Sequence, residues 1–475
     1  MILNYINGEF VKAQSGKTEK IINPATEEVL DEMAWGNADD CKAAIDAASA
    51  AFKTWSKTNV YQRSNILKKA ADLMRANAET FAKEMVMECG KPIAEAKAEW
   101  ATAANLFEWY AEEAKRAYGK TIPSIRNDKR MMTIWQPLGV VGVITAWNFP
   151  TYNPSRAWSA ALAAGCTLVT KGSEFTPITT NNIVKCLTEA GLPAGVINNI
   201  NGDAASIGDE LLNDDAVKKI SFTGSTRVGK ILMDGASKTS TKLSLELGGN
   251  APVIISGDVD VDVMAKSAVL AKMRNAGQVC ISPQRFFVQE KIYDRFVDVA
   301  KENIQKLKVG NGLETETNVG PLINKKQQQH VLNIIDEAKK AGATTTATNI
   351  NAGKGWFVSP TLLTEVDATT EAINKEIFGP VLPLIPFGNK NDVVAWANKT
   401  PYGLASYVWT NNLNDAYFFA EALEFGMVGI NEWLPQGVEA PFLGWKQSAL
   451  GSESGSEGLY EYMEKKLISF GGMNF

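Results

Sequence analysis

The chain has 475 residues, 45% hydrophobic and 21% charged, with a formal net charge of −5. That length predicts two or three domains rather than a single core. The composition is that of a soluble globular protein, and the mild acidity gives no reason to expect a nucleic-acid partner. The uncharged run 131–155 is interrupted by Pro137, Pro150 and Pro154 and by Asn148 and Asn153. It reads as strand plus loop, not as the roughly 20 apolar residues of a membrane span. The opening MILNYINGEF lacks the basic-then-apolar order of a secretory signal. Cys41, Cys89, Cys166, Cys186 and Cys280 are odd in number and without metal spacing. Free thiols in a reducing cytoplasm are therefore expected, with no metal site. A single histidine, His330, lies in KKQQQHVLNIIDEAKK, which reads as a surface helix. One histidine leaves almost no material for His-dependent hydrolases.

In chain order, residues 1–30 alternate short apolar runs with the turns NGE and NPAT, predicting an N-terminal hairpin. Residues 39–118 read as helices, the first capped by Asp39 or Asp40. Residues 120–137 read as two extended runs around Arg126-Asn127-Asp128-Lys129, either an arm that pairs with another subunit or an ordinary surface hairpin. From residue 138 the pattern becomes βαβ. Strand runs at 139–145, 166–170, 195–200 and 218–222 alternate with helical runs at about 153–165, 177–190, 204–212 and 225–238, predicting a parallel sheet covered on both faces. A second α/β region has strand runs at 252–256, 285–290, 381–387, 407–410 and 427–431.

The stretch 243–285 carries the candidate chemistry. Glu246 stands between leucines and before Gly248-Gly249. An apolar setting raises a carboxyl pKa and makes a general base near neutral pH. Cys280 follows the small, uncharged Asn275-Ala276-Gly277-Gln278-Val279. A free thiol, with a reference pKa of about 8.5, is mostly protonated at neutral pH, so this sulfur needs a polar backbone site or a nearby base. Taken singly, such a Cys is as readily a small buried hydrophobe and such a Glu a solvated surface residue. No G-x-G-x-x-G follows a strand. Thr223-Gly224-Ser225 instead follows the 218–222 run and opens a helix, a turn that presents N–H groups and a hydroxyl to phosphate. Many βα turns share that composition.

LELGGN followed 34 residues later by the Cys of GQVC resembles the aldehyde dehydrogenase superfamily. YINGEF, NPAT, WNFP, FTGS, EIFGPV, PYGL and APF extend the resemblance over nearly the whole chain. It implies an α/β fold with a parallel-sheet cofactor domain (1–116 and 138–247), an α/β catalytic domain (248–447) and a small β oligomerisation arm (117–137 and 463–475). Cys280 is then the nucleophile and Glu246 the general base. Asn148 forms the oxyanion hole with the Cys280 N–H. Trp147, Gly224 and Ser225 belong to the cofactor site, Ser225 at the diphosphate. Lys171 and Glu174, flanking Ser173, face the adenosine ribose, while Glu376 and Phe378 face the nicotinamide end. The implied cofactor is NAD; Glu174 would repel a 2′-phosphate, although relatives with Glu use NADP as well. Asn148 also reads as a turn residue, and Phe378 as core.

The closest subgroup resembles the succinate-semialdehyde dehydrogenases, in which an Arg eight residues after the oxyanion Asn and another six before the Cys grip the substrate carboxylate. Here these are Arg156 and Arg274, and two guanidinium groups suit a small anion. Structural ion pairs are the other reading of the two arginines. Gln436 or Gly437 stands where the subgroup has its third anion contact, a Ser. Trp433 replaces a Gly and Ser282 a second Cys. The implied substrate is a small anionic aldehyde, succinate semialdehyde-like, with a sulfonate such as sulfolactaldehyde or a general aldehyde as alternatives. A coenzyme A-acylating enzyme, disfavoured by Glu246, and a non-catalytic relative are the remaining readings. A homodimer or homotetramer in the cytoplasm is expected.

Overall fold

The computed structural model describes residues 1–350 and 353–472. Its first sheet runs, edge to edge, through Glu9–Val11, Asn4–Ile6, Ile197–Asn199, Thr167–Lys171, Val140–Ile144, Val217–Thr223, Lys242–Glu246 and Ala449–Leu450. The four strands from Thr167–Lys171 to Lys242–Glu246 are parallel neighbours. From Val140–Ile144 the chain first builds outward on one side and then returns to build on the other. The strand order therefore reverses between Val140–Ile144 and Val217–Thr223, the position at which open α/β sheets form a ligand crevice. The pairings Ile144↔Lys171, Ile144↔Phe222 and Thr223↔Glu246 bring four carboxyl ends level at that crevice.

Helices Tyr152–Ala164, Pro177–Glu189, Ala204–Asn213 and Thr226–Ala236 connect these strands, matching the predicted alternation. The strand Lys242–Glu246, which carries Glu246, was not among the predicted runs. Its KLSLE sequence is polar at both ends, and tertiary burial outweighs its weak strand signal.

The second sheet has the order Thr344–Ala347, Thr361–Thr364, Val381–Phe387, Pro283–Gln289, Ala251–Ile255, Ala405–Trp409 and Met427–Ile430. The 120–137 region forms the strands Lys120–Ile122 and Arg130–Pro137. Met463–Phe470 pairs antiparallel along the whole of Arg130–Pro137, and residues 473–475 of the expected arm lie outside the described residues. No helix among the described residues is long and apolar enough to cross a membrane.

The N-terminal helices are Ala38–Trp55, Val60–Cys89 and Ile93–Glu113. The first is capped by Asn37, not by Asp39 or Asp40: the Asn37 side chain accepts from the Asp39 and Asp40 N–H groups, and Asp40 accepts from the Asn37 N–H. The second ends at Gly90, with φ +84°, where a Cβ would come within 2.6 Å of Pro321. Helices Val60–Cys89, Ile93–Glu113 and Tyr152–Ala164 share a core that includes Trp100, Phe107, Tyr110 and Trp158. Through it the third helix is fixed beside the loop that carries Asn148. Asn37→Ala removes one arm of the capping box and is expected to cost about 1 kcal/mol, read as a lower urea midpoint at unchanged m-value.

Candidate active site

A cavity of about 270 Å³ opens at the switch point. Trp147 and Asn148 enter from the loop after Val140–Ile144, and Gly224 and Ser225 from the turn after Val217–Thr223. Glu246 stands at the end of its strand, and Cys280, Glu376 and Phe378 close the cavity from the second sheet's side. Eight of the sequence-predicted residues thus meet around one space. Gln327 and His330 also line it. The helix Lys325–Lys340 was read as a surface helix, and its outer residues Lys325, Lys326 and Gln329 are exposed, but half-buried His330 faces the cavity. Lys171, Ser173 and Glu174 are not in this lining. They sit at the end of the neighbouring strand, where Lys171 Nζ pairs with Glu174 Oε2 at 2.6 Å.

Backbone strain positions the candidate nucleophile, Cys280. Asn275, Ala276 and Gly277 are consecutively left-handed, with φ of +46°, +53° and +74°. Each non-glycine residue there costs roughly 1–2 kcal/mol. Gly277 is required for a second reason, since a Cβ would lie 2.1 Å from the Gly379 oxygen. The bend is held by Glu95, which accepts from the Asn275 N–H at 2.8 Å, and by the Asn275 amide, which donates to Asn148 O at 2.9 Å. Gln278 Oε1 adds a bond from the Ile323 N–H at 3.0 Å.

Cys280 is half-buried beside Glu246, whose two carboxyl oxygens are buried and accept no hydrogen bond among the described residues. Burial, with the Glu246 charge next in importance, pushes the thiol well above its ordinary range. Burial also pushes Glu246 up, to about 7, against the opposing pull of Arg156. The pair is therefore a neutral thiol beside a carboxyl that titrates near neutrality. Glu376, which accepts from the Gly249 N–H at 3.1 Å, is pushed up to about 8 by burial.

Asn148 is held on three sides. Asn153 Nδ2 donates to Asn148 Oδ1 at 3.1 Å, which turns Nδ2 outward as the donor, 3.1 Å from Gln278 O. Lys91 Nζ donates to the Asn148 carbonyl at 2.9 Å and pairs with Glu99, both side chains being buried. Glu99 in turn accepts from the Thr151 N–H and hydroxyl at 2.8 Å and from the Tyr152 N–H at 3.1 Å. This pair carries no sequence signature, because charges in a helical run read as a solvated face.

Arg156 is buried between the rings of Tyr152 and Phe442, at 4.9 and 4.3 Å. Its Nε lies 2.9 Å from Glu453 and its Nη2 3.5 Å from Glu246 as ion pairs; Nη2 donates to Asn153 Oδ1 at 3.3 Å, while Nε and Nη1 make no hydrogen bond among the described residues. Arg274 is half-buried with its guanidinium 5.1 Å from the Phe149 ring. A cavity of about 290 Å³ is bordered by Glu95, Phe149, Tyr152, Arg274 and Gln436. It narrows to a gap of about 20 Å³ beside Arg156, Phe442 and Cys280. The two predicted arginines and Gln436 therefore share one approach to the thiol.

Lys91→Met strands the Glu99 carboxylate in the interior. The expected cost is about 3–5 kcal/mol in urea unfolding, with much of it recovered in Lys91→Met/Glu99→Gln.

The model of the aldehyde dehydrogenase family matches residues 10–468. The mitochondrial succinate-semialdehyde dehydrogenase of Oryza sativa subsp. japonica is 44% identical over 99% of this chain and 89% of its own. The glutarate-semialdehyde dehydrogenase of Pseudomonas putida is 43% identical over 98% of this chain and 96% of its own. A crystal structure of an E. coli NADP-dependent enzyme superposes with a TM-score of 0.97 at 41% identity, covering 99% of this chain and 98% of that one. With a match of this length and depth, the chain belongs to the aldehyde dehydrogenase family and is an enzyme that oxidises an aldehyde to its acid with NAD or NADP.

Proposed function

We propose that the protein oxidises a small acidic aldehyde, of the succinate semialdehyde kind, and prefers NAD. The observation that carries this reading is the pair of arginines on the approach to Cys280, with Arg156 Nη1 unpartnered in the interior. The relatives named for dicarboxylic semialdehydes point the same way.

The cavity fits a dinucleotide in its donors and its glycines. Ser225 caps the eleven-residue helix Thr226–Ala236 and leaves that helix's N-terminus open for a diphosphate. A Cβ on Gly248 would lie 2.8 Å from Glu376 Oε2, and the bare glycine keeps that space clear. Trp147 and Phe378, edge to face at 5.5 Å, wall the nicotinamide end, and Glu376 is the carboxylate for its ribose. Lys171, Ser173 and Glu174 serve the adenosine side, where a carboxylate disfavours a 2′-phosphate. When bound there, NAD(P) would supply the hydride acceptor that oxidation of a Cys280 adduct to a thioester requires.

The chain's own groups do the rest. Glu246 accepts the thiol proton as the Cys280 sulfur adds to the aldehyde carbon. Asn148 Nδ2 and the Cys280 N–H donate to the alkoxide that forms, donors that each contribute about 10²–10³ in rate. Once that proton has passed to solvent, Glu246 takes a proton from the water that attacks the thioester and returns it to the departing Cys280 sulfur, which releases the acid and the thiol. Arg156 and Arg274 hold the substrate's distal acid group, with Gln436 beside them. In this reading residues 1–116 with 138–247 are the cofactor domain and 248–447 the catalytic domain. Residues 117–137 and 463–475 form the arm of a cytoplasmic homodimer or homotetramer.

NADH formation at 340 nm with succinate semialdehyde, glutarate semialdehyde, sulfolactaldehyde and propanal tests the substrate class. One acidic aldehyde is expected to exceed propanal by over tenfold in kcat/KM, about 1.4 kcal/mol of transition-state binding. Arg156→Ala/Arg274→Ala is expected to abolish that margin; equal rates for propanal, unaffected by the arginine change, would sink the acidic-substrate reading. Glu246→Gln is expected to lower kcat by about 10²–10⁴. Because Glu246 is pushed up to about 7 and acts deprotonated, the wild-type rate should rise with pH through a midpoint near that value.

A further inference from the structure

Arg156 stands between two carboxyl groups, and only one of them belongs to the chemistry. Glu453 is buried, comes from the strand Ser452–Glu453 near the chain's end, and accepts from Ser221 Oγ at 3.3 Å. Its Oε2 lies 2.9 Å from Arg156 Nε, while Glu246 Oε2 lies 3.5 Å from Nη2. Aromatic faces on both sides of the guanidinium keep it from swinging to either acid alone.

We infer that Glu453 is a positioning residue which shares the charge of Arg156 with Glu246, and that this buried Glu453–Arg156–Glu246 triad sets the proton affinity of the base. The inference rests on the reading of Glu246 as the base and goes beyond it. With one cation between two acids, Arg156 cannot fully stabilise both carboxylates. Glu453 takes the nearer contact, and Glu246 is left with a proton affinity suited to exchange with a thiol and with water. The other groups that face Glu246 are the Cys280 thiol and, from the second sheet's side, Glu376. Tyr152 adjoins Arg156, and Tyr110 and Tyr462 adjoin Glu453. Arg156 is thus the one positive neighbour of Glu246 among these groups. Removing Glu453's negative charge strengthens the hold of Arg156 on the Glu246 carboxylate. Removing Arg156 leaves two acids repelling each other.

The test is the pH dependence of Cys280 alkylation by iodoacetamide in the cofactor-free protein, alongside the pH profile of kcat. The acid-side midpoint is expected to fall by about one unit or more in Glu453→Gln, the size a newly freed opposite charge produces, and to rise in Arg156→Met. Glu453→Asp keeps the charge but withdraws it, so its midpoint should lie between Glu453→Gln and wild type. This supplies the ordering even where the Gln variant does not fold. A structural role alone lowers stability and rate but does not move midpoints in opposite directions. Unmoved midpoints, or movement the same way in the Glu453 and Arg156 variants, overturn the inference while Glu246→Gln still removes the midpoint. A midpoint that survives Glu246→Gln overturns the base reading and the triad together.

Discussion

Everything at the site depends on the register of four parallel strands. Because the strands ending at Lys171, Ile144, Thr223 and Glu246 finish within a residue of one another, the loops after them emerge into one crevice instead of along a staggered edge. The reversal of strand order keeps helices from filling that crevice. A one-residue slip of Lys242–Glu246 would turn Glu246 to the other face of the sheet, so this carboxyl is placed by backbone pairing before any side-chain contact acts.

Onto that frame the molecule adds buried charge in compensated sets. Lys91 and Glu99 tie the loop of Asn148 to the helix Ile93–Glu113, and Glu95 on the same helix holds the strained bend before Cys280. One helix thereby registers the Asn148 loop against the bend that leads into Cys280. Buried ions are expensive unless each finds a partner, which explains why these acids and bases hydrogen-bond backbone groups as well as one another. The strain at Asn275–Gly277 persists because the same contacts over-determine the bend.

Local chemistry was legible in the sequence wherever a short motif carries it whole. WNFP, LELGGN, GQVC and EIFGP identify Asn148, Glu246, Cys280, Glu376 and Phe378, and all five border one cavity. The βα alternation was legible because buried parallel strands are continuous apolar runs. The strand Lys242–Glu246 was not, since a sequence ending in a functional carboxylate lacks that signature. Lys91, Glu99 and Glu453 were hidden for a related reason. A charged residue in an amphipathic run or a polar loop reads as solvated, and only the tertiary fold reveals that it is enclosed with its counter-ion. His330 was read as a surface residue because a helix has a wet side, and its neighbours Lys326 and Gln329 are indeed exposed.

Residues 448–450 are laced onto the strand of Glu246. Ala449–Leu450 pairs with Leu245 and Glu246, the Leu247 N–H bonds Ser448 O at 2.8 Å, and Ser448 Oγ donates to Gly248 O at 2.7 Å. During synthesis Asn148, Glu246 and Cys280 all leave the ribosome long before this segment does. Until residues 448–450 are made, Glu246 lacks the strand that pairs beside it, so a product truncated before them keeps these three side chains but lacks part of the setting that surrounds Glu246.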